Sequence, residues 1–206
     1  MPRTATAWIA IVTAVFWLVP LLLGWGDAVD FTMGFIPARL SGVAMVGPAV
    51  PAFLTPLSAT LVHAGFLHLA LNLLILVWCG TAVERVLGAR ALVFVYVVSA
   101  YTAAMAQWAI DPLGQMPMVG ASGAISGVIG AFALSFGQQK QIVRSRSLNR
   151  MLNALWLLAA WIVLQLMTSF LAGTQGLLVA TPAHVGGFLS GLLLQRPLLM
   201  WRYRKA

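Results

Sequence analysis

Six apolar stretches, each long enough to cross a bilayer, constrain this chain more than any other feature. They run near 8–25, 57–80, 91–110, 118–137, 151–173 and 177–195. A hydrocarbon core of ~30 Å needs about 20 helical residues at ~1.5 Å each. Lipid offers no hydrogen bonds, so each stretch must satisfy its backbone internally, as a helix. Only 8% of the 206 residues are charged and 61% are hydrophobic, far from what a water-facing surface requires. The expected class is an all-α, polytopic membrane protein with six transmembrane helices, packed as a single domain over 1–206. Trp8, Trp17 and Trp25 lie near the ends of the first stretch, which suits a retained anchor better than a cleaved signal peptide. The link 26–56 mixes Asp27, Asp30 and Arg39 with Phe31, Phe35 and Phe53, and reads as a loop lying partly in the membrane interface. The single cysteine, Cys79, sits in an apolar run and reads as a small buried hydrophobe.

The net charge of +8 does not point to nucleic acid, because the basic residues occupy short segments between apolar runs rather than one face. Arg3 precedes the first span, and Arg85 and Arg90 separate the second and third. Lys140, Arg144, Arg146 and Arg150 separate the fourth and fifth, and Arg196, Arg202, Arg204 and Lys205 follow the sixth. With six crossings all of these share one side, and only Arg39 lies on the other. The positive-inside rule then makes both termini cytoplasmic. The short tails suggest a bacterial plasma (inner) membrane and no large regulatory domain.

Polar groups inside such spans are costly and mark function. All three histidines, His63, His68 and His184, lie in or at the mouth of apolar runs. Asn72 follows His68 by one helical turn, and Ser122 lies in Gly120-Ala121-Ser122-Gly123. Spans two, four and six all enter from the outer side. His68 is then about eight residues in, Ser122 a few, and His184 about seven, or roughly 5–15 Å deep. On a helix i, i+3, i+4 and i+7 share a face, so His184 lies over Gly187 and Gly191, and Ser122 over Ser126 beside Gly123 and Gly127. Such small-residue faces let two helices approach closely enough for a hydroxyl to reach an imidazole. Taken singly, each of these residues has an ordinary packing explanation; their convergence at one depth is the signal.

These pieces together resemble the rhomboid family over residues 60–195. His63, His68 and Asn72 have its His-x4-His-x3-Asn spacing, and Gly120–Gly123 resembles its GxSG motif. His184, Gly187 and Gly191 resemble its catalytic-histidine helix, and Gly80, Glu84 and Arg85 its Gly-x3-Glu-Arg junction. The resemblance implies an intramembrane serine endopeptidase with Ser122 as nucleophile and His184 as general base, then general acid. It implies an oxyanion hole from His68, Asn72 and the backbone N–H of Ser122. His63 and Glu84 would be structural supports, alongside Gly120, Gly123, Gly187 and Gly191. There are two departures: position 126, often an aromatic that packs on the catalytic histidine, is Ser126, and no tryptophan accompanies Arg39 between Trp25 and Trp78.

The expected substrates are single-span membrane proteins, cut in or near their transmembrane helix after lateral admission beside span five, with the active site open to the outer (periplasmic) face. No metal or organic cofactor is implied, since serine, histidine and asparagine lack the carboxylates or thiols of common metal sites. Two other classes are considered. A catalytically inactive rhomboid-like binding factor would normally lack Ser122 or His184. A small transporter would spread polar groups along a whole path or show internal symmetry, and this sequence shows neither.

Overall fold

The computed structural model describes residues 4–43, 47–136, 143–171 and 181–204. Its elements are helical throughout: α1 (Ala5–Leu23), α2 (Gly26–Met33), α3 (Pro37–Leu40), α4 (Thr55–Ser58), α5 (Phe66–Leu87), α6 (Ala89–Ile110), α7 (Ser122–Phe136), α8 (Arg146–Leu171) and α9 (Thr181–Arg202). Single 3-10 turns at Ala52–Leu54 and Ala59–Leu61 flank α4. The chain is a multi-pass membrane protein, and its six long helices form one bundle. Its surface is correspondingly apolar: Leu22 and Leu193 are each 75% exposed, as lipid-facing side chains must be.

α7 lies at the centre, packed by α5, α6, α8 and α9. Two-thirds of its residues are buried, including Ile125, Val128 and the glycines 127 and 130. Among the described residues α1, α5, α6 and the first part of α8 are long and apolar enough to cross a membrane on those grounds alone. The exceptions are informative. α7 has only 15 residues, and α9 carries His184, Gln195 and Arg196 among its glycines. α7 is apolar but short and mostly shielded by its neighbours, and α9 turns its glycines and His184 toward it.

That pair packs backbone to backbone. A Cβ on Gly187 would collide with the Gly123 carbonyl oxygen, and one on Gly191 with that of Gly127. One on Gly123 would lie 2.7 Å from the Ala103 methyl of α6. Lipid offers no hydrophobic force between helices, so close contact of this kind, with hydrogen bonds across it, holds the bundle. Ser99 of α6 and Ser190 of α9 supply such a bond at 2.7 Å.

At the opposite end from Ser122, Glu84 receives the start of α1. Its carboxylate accepts from the N–H groups of Ala5 (2.8 Å) and Thr6 (2.9 Å) and from the Thr6 hydroxyl (2.6 Å). These are donors a helix N-terminus leaves unpaired, and a negative charge there also meets the helix dipole favourably. Gly80, one turn earlier, makes room: a Cβ there would lie 2.9 Å from Thr6 Cγ2. Replacing Glu84 with glutamine removes the charge and one strong acceptor. It is expected to cost about 1–2 kcal/mol, as for loss of a helix cap, seen as earlier unfolding in detergent with serine reactivity retained.

Several span boundaries differ from the sequence expectation. The second helix begins at Phe66 rather than 57, because Pro51 and Pro56 confine the preceding residues to short turns and the chain is extended at Gly65 (φ 177°). It runs past 80 to Leu87, ended by Gly88 at φ 88°. A glycine in that conformation ends a helix, whereas charged Glu84 and Arg85 do not. The fourth helix starts at Ser122 rather than 118, since 118–120 is extended: Phe35 and Met118 exchange backbone bonds of 3.0 and 2.8 Å. The fifth starts at Arg146. The sixth continues through Arg196 to Arg202, so Arg196 lies within it rather than after it. Residues 172–173 and 177–180 of the expected spans lie outside the described residues. Within the expected 26–56 loop the described residues include the helices α2 and α3, with Phe35, Ile36 and Ala38 fully buried and Phe53 65% exposed.

Candidate active site

The approach to Ser122 is built from one unusual residue. Gly120 sits at φ 113°, a conformation side chains rarely adopt, and its N–H donates to the Ala59 carbonyl at 2.9 Å. Its missing side chain also admits an imidazole: a Cβ there would lie 2.7 Å from His68 Cε1 and 2.8 Å from Nε2. The chain then turns into α7, whose first helical bond runs from Ile125 N–H to Ala121 O at 2.9 Å. The N–H groups of Ser122, Gly123 and Ala124 therefore lie ahead of the hydrogen-bond ladder.

Ser122 is the first residue of α7 and His184 the fourth of α9. The close glycine contact between these helices brings Ser122 Oγ to 2.9 Å from His184 Nε2. Both side chains are buried, at 8% and 6% exposure. His68 is the third residue of α5. The sequence counted the depths of His68 and Ser122 from helix starts at 57 and 118. Both residues instead occupy first turns, so the positive ends of the α5 and α7 dipoles converge on one place.

Asn72 is fully buried one turn beyond His68. Its Nδ2 donates to the His68 carbonyl at 2.8 Å, and its Oδ1 finds no partner among the described residues. An amide nitrogen has two protons, so one donor remains. His63 lies in the break before α5. Its carbonyl accepts from the Trp17 indole at 3.0 Å, and its Nε2 faces the Ala121 N–H at 3.4 Å. Its ring meets that of His68 nearly edge-on, centroids 5.0 Å apart. His63 thus stands between α1 and the entrance to α7. A cavity of about 160 Å³, bordered by Trp17, Pro20, Asp30 and Val62, lies against it.

A Rhomboid domain model matches residues 51–201, nearly three-quarters of the chain, including His63, His68, Asn72, Ser122 and His184. The chain belongs to the rhomboid family. This rhomboid is 33% identical over 144 residues to RHOMBOID-like protein 5 of Arabidopsis thaliana, covering 70% of this chain and 43% of that protein. It is 30% identical over 139 residues to Rhomboid protease GluP of Bacillus subtilis (strain 168), covering 67% of this chain and 24% of that one. The rhomboid therefore spans less than half the length of either relative.

Sequence reasoning did not single out Trp161. This tryptophan of α8 is buried, its indole N–H donates to Ser126 Oγ at 2.8 Å, and its ring meets that of His184 at 6.3 Å and 67°. Ser126 in turn donates to the Ser122 carbonyl at 2.7 Å. The available signal was a tryptophan in mid-span, where an indole N–H must find an acceptor inside the protein. Among the described residues no group of three or more His, Cys, Asp or Glu side chains gathers as a metal site would.

Proposed function

We propose that this rhomboid is an intramembrane serine endopeptidase that uses Ser122 and His184 as a catalytic dyad. The supporting observation is the 2.9 Å contact between Ser122 Oγ and His184 Nε2, buried where α5, α7 and α9 begin. The name of its Bacillus relative, a rhomboid protease, agrees with it. Ser122 Oγ attacks the carbonyl carbon of the scissile peptide while its proton passes to His184 Nε2. The resulting oxyanion would be met by the Ser122 backbone N–H, the remaining Asn72 Nδ2 proton and the His68 imidazole, with the α7 dipole behind them. Collapse breaks the C–N bond, and His184 returns the proton to the departing amine. Water then attacks the acyl-serine, again losing its proton to His184, and Ser122 is released.

The substrate is a transmembrane segment of another protein. A helix hides its carbonyls in internal hydrogen bonds, so the segment must unwind locally at the cut. The ends of α5 and α9 near Glu84 share one side with the start of α1, since Arg202 reaches the Glu84 carbonyl at 3.4 Å. Arg85, Arg90 and Arg202 on this side support, by the positive-inside rule, a reading in which it is cytoplasmic, with Ser122 toward the outer face and both termini in the cytoplasm.

The test is labelling of the detergent-purified protein with a fluorescent fluorophosphonate, beside Ser122→Ala. Covalent labelling is expected in the wild type and none in the variant. A folded wild type that stays unlabelled, by a probe that reaches Ser122 in a related protease, would favour an inactive binding factor of the same fold.

A further inference from the structure

We infer that Trp161 is a positioning residue for His184, bracing the imidazole by an edge-on ring contact; this rests on the Ser122–His184 reading above. α8 shows most of its apolar surface outward, with Trp156 71% and Val163 55% exposed, yet Trp161 is only 4% exposed. It is an α8 side chain that reaches the dyad. Two contacts fix it there. The indole N–H donates to Ser126 Oγ at 2.8 Å, and Ser126 Oγ donates to the Ser122 carbonyl at 2.7 Å. The indole is thereby tied to the backbone of the nucleophile itself. The ring then meets the His184 imidazole nearly edge-on, 6.3 Å between centroids at 67°. His184 thus has two contacts, a hydrogen bond with Ser122 Oγ and a ring contact with the indole.

Volume filling alone does not account for this arrangement. A leucine or phenylalanine would fill the space without bringing a polar N–H into the bundle, where an unpaired donor is costly. Here the donor has an acceptor, and that acceptor is bonded to the residue whose hydroxyl reacts. A dyad has no third side chain of the kind that orients the histidine of a triad. Trp161 and Ser126 together orient this one, by ring contact and by a shared hydrogen-bond chain.

Kinetics of fluorophosphonate labelling separate positioning from packing. The full-length wild type, Trp161→Leu, Trp161→Phe and Ser126→Ala would each be followed for the saturating rate constant, the probe concentration at half-saturation and the final labelled fraction. An edge-on aromatic contact is worth ~0.5–1.5 kcal/mol, so Trp161→Leu is expected to lower the saturating rate about two- to tenfold. Half-saturation and final labelled fraction should stay unchanged. Trp161→Phe, which keeps a ring but loses the bond to Ser126, should recover part of that loss, to about the rate of Ser126→Ala. Ser126→Ala, which frees the indole without removing it, should slow labelling by about two- to fivefold, the worth of one lost hydrogen bond. It carries the test should the leucine variant fail to fold. Rates equal to wild type in both Trp161→Leu and Ser126→Ala would overturn the inference. So would a loss confined to the labelled fraction, the mark of packing alone, or a phenylalanine variant as slow as the leucine one. A wild type that shows no Ser122-dependent labelling would instead overturn the dyad reading on which the inference depends.

Discussion

His184→Ala should leave a folded, membrane-inserted protein whose Ser122 reacts with a fluorophosphonate at least about 10⁴-fold more slowly, as expected when a serine loses its general base. The size of the effect follows from the site. At 8% exposure Ser122 has little water around it to take its proton. The neighbouring hydroxyl of Ser126 is already donated to the Ser122 carbonyl. His68 lies against Gly120, two residues before Ser122. Stability should change little by comparison, because α9 is seated by Gly187, Gly191 and the Ser99–Ser190 bond rather than by the imidazole. The decisive comparison is labelling rate against thermal unfolding in the same detergent. Equal reactivity in a folded His184→Ala protein would remove His184 from the reaction.

Gly187→Val should produce the largest loss of stability. Its Cβ would fall on the Gly123 carbonyl oxygen, and Ser126 Cβ would lie only 3.4 Å away. A flexible side chain could swing aside, but the collision is with backbone on a helix packed on several sides. Overfilling a well-packed core commonly costs about 1–3 kcal/mol, and parting two central helices should exceed that range. Serine reactivity should fall with it, since Gly187 lies one turn from His184 and the same displacement widens the 2.9 Å contact. Unfolding monitored by circular dichroism, run beside labelling, should show both losses together. A stable variant that had lost only activity would mean that the helices had shifted without parting.

Much of this architecture was readable before any coordinates. Six spans followed from apolar length, and the meeting of Ser122 with His184 followed from glycines at helical spacing on two helices. The helix starts were harder to read. Apolarity continues through 57–65 and 118–121, and what breaks the helix there is backbone geometry: prolines, an extended Gly65, and the pairing of Phe35 with Met118 across 83 positions of sequence. A window of hydropathy does not register a partner that far away. Trp161 was missed for a similar reason. Its acceptor lies on another helix, so within its own span it looks like one more apolar residue. The departure at Ser126 became intelligible only when the two were seen together.

The three helices that begin at the site are α5, α7 and α9, alternate long helices of the chain. They therefore run parallel to one another, with α6 and α8 returning between them. This imposes a rule of parity on any change to the chain. A segment added ahead of α5 leaves the three helix starts together, whichever way it crosses. A single crossing gained or lost between α5 and α9 would instead invert one of them, carrying its polar residue to the opposite face of the membrane and turning a negative helix end toward the site. Within that stretch the fold can grow or shrink only by even numbers of crossings.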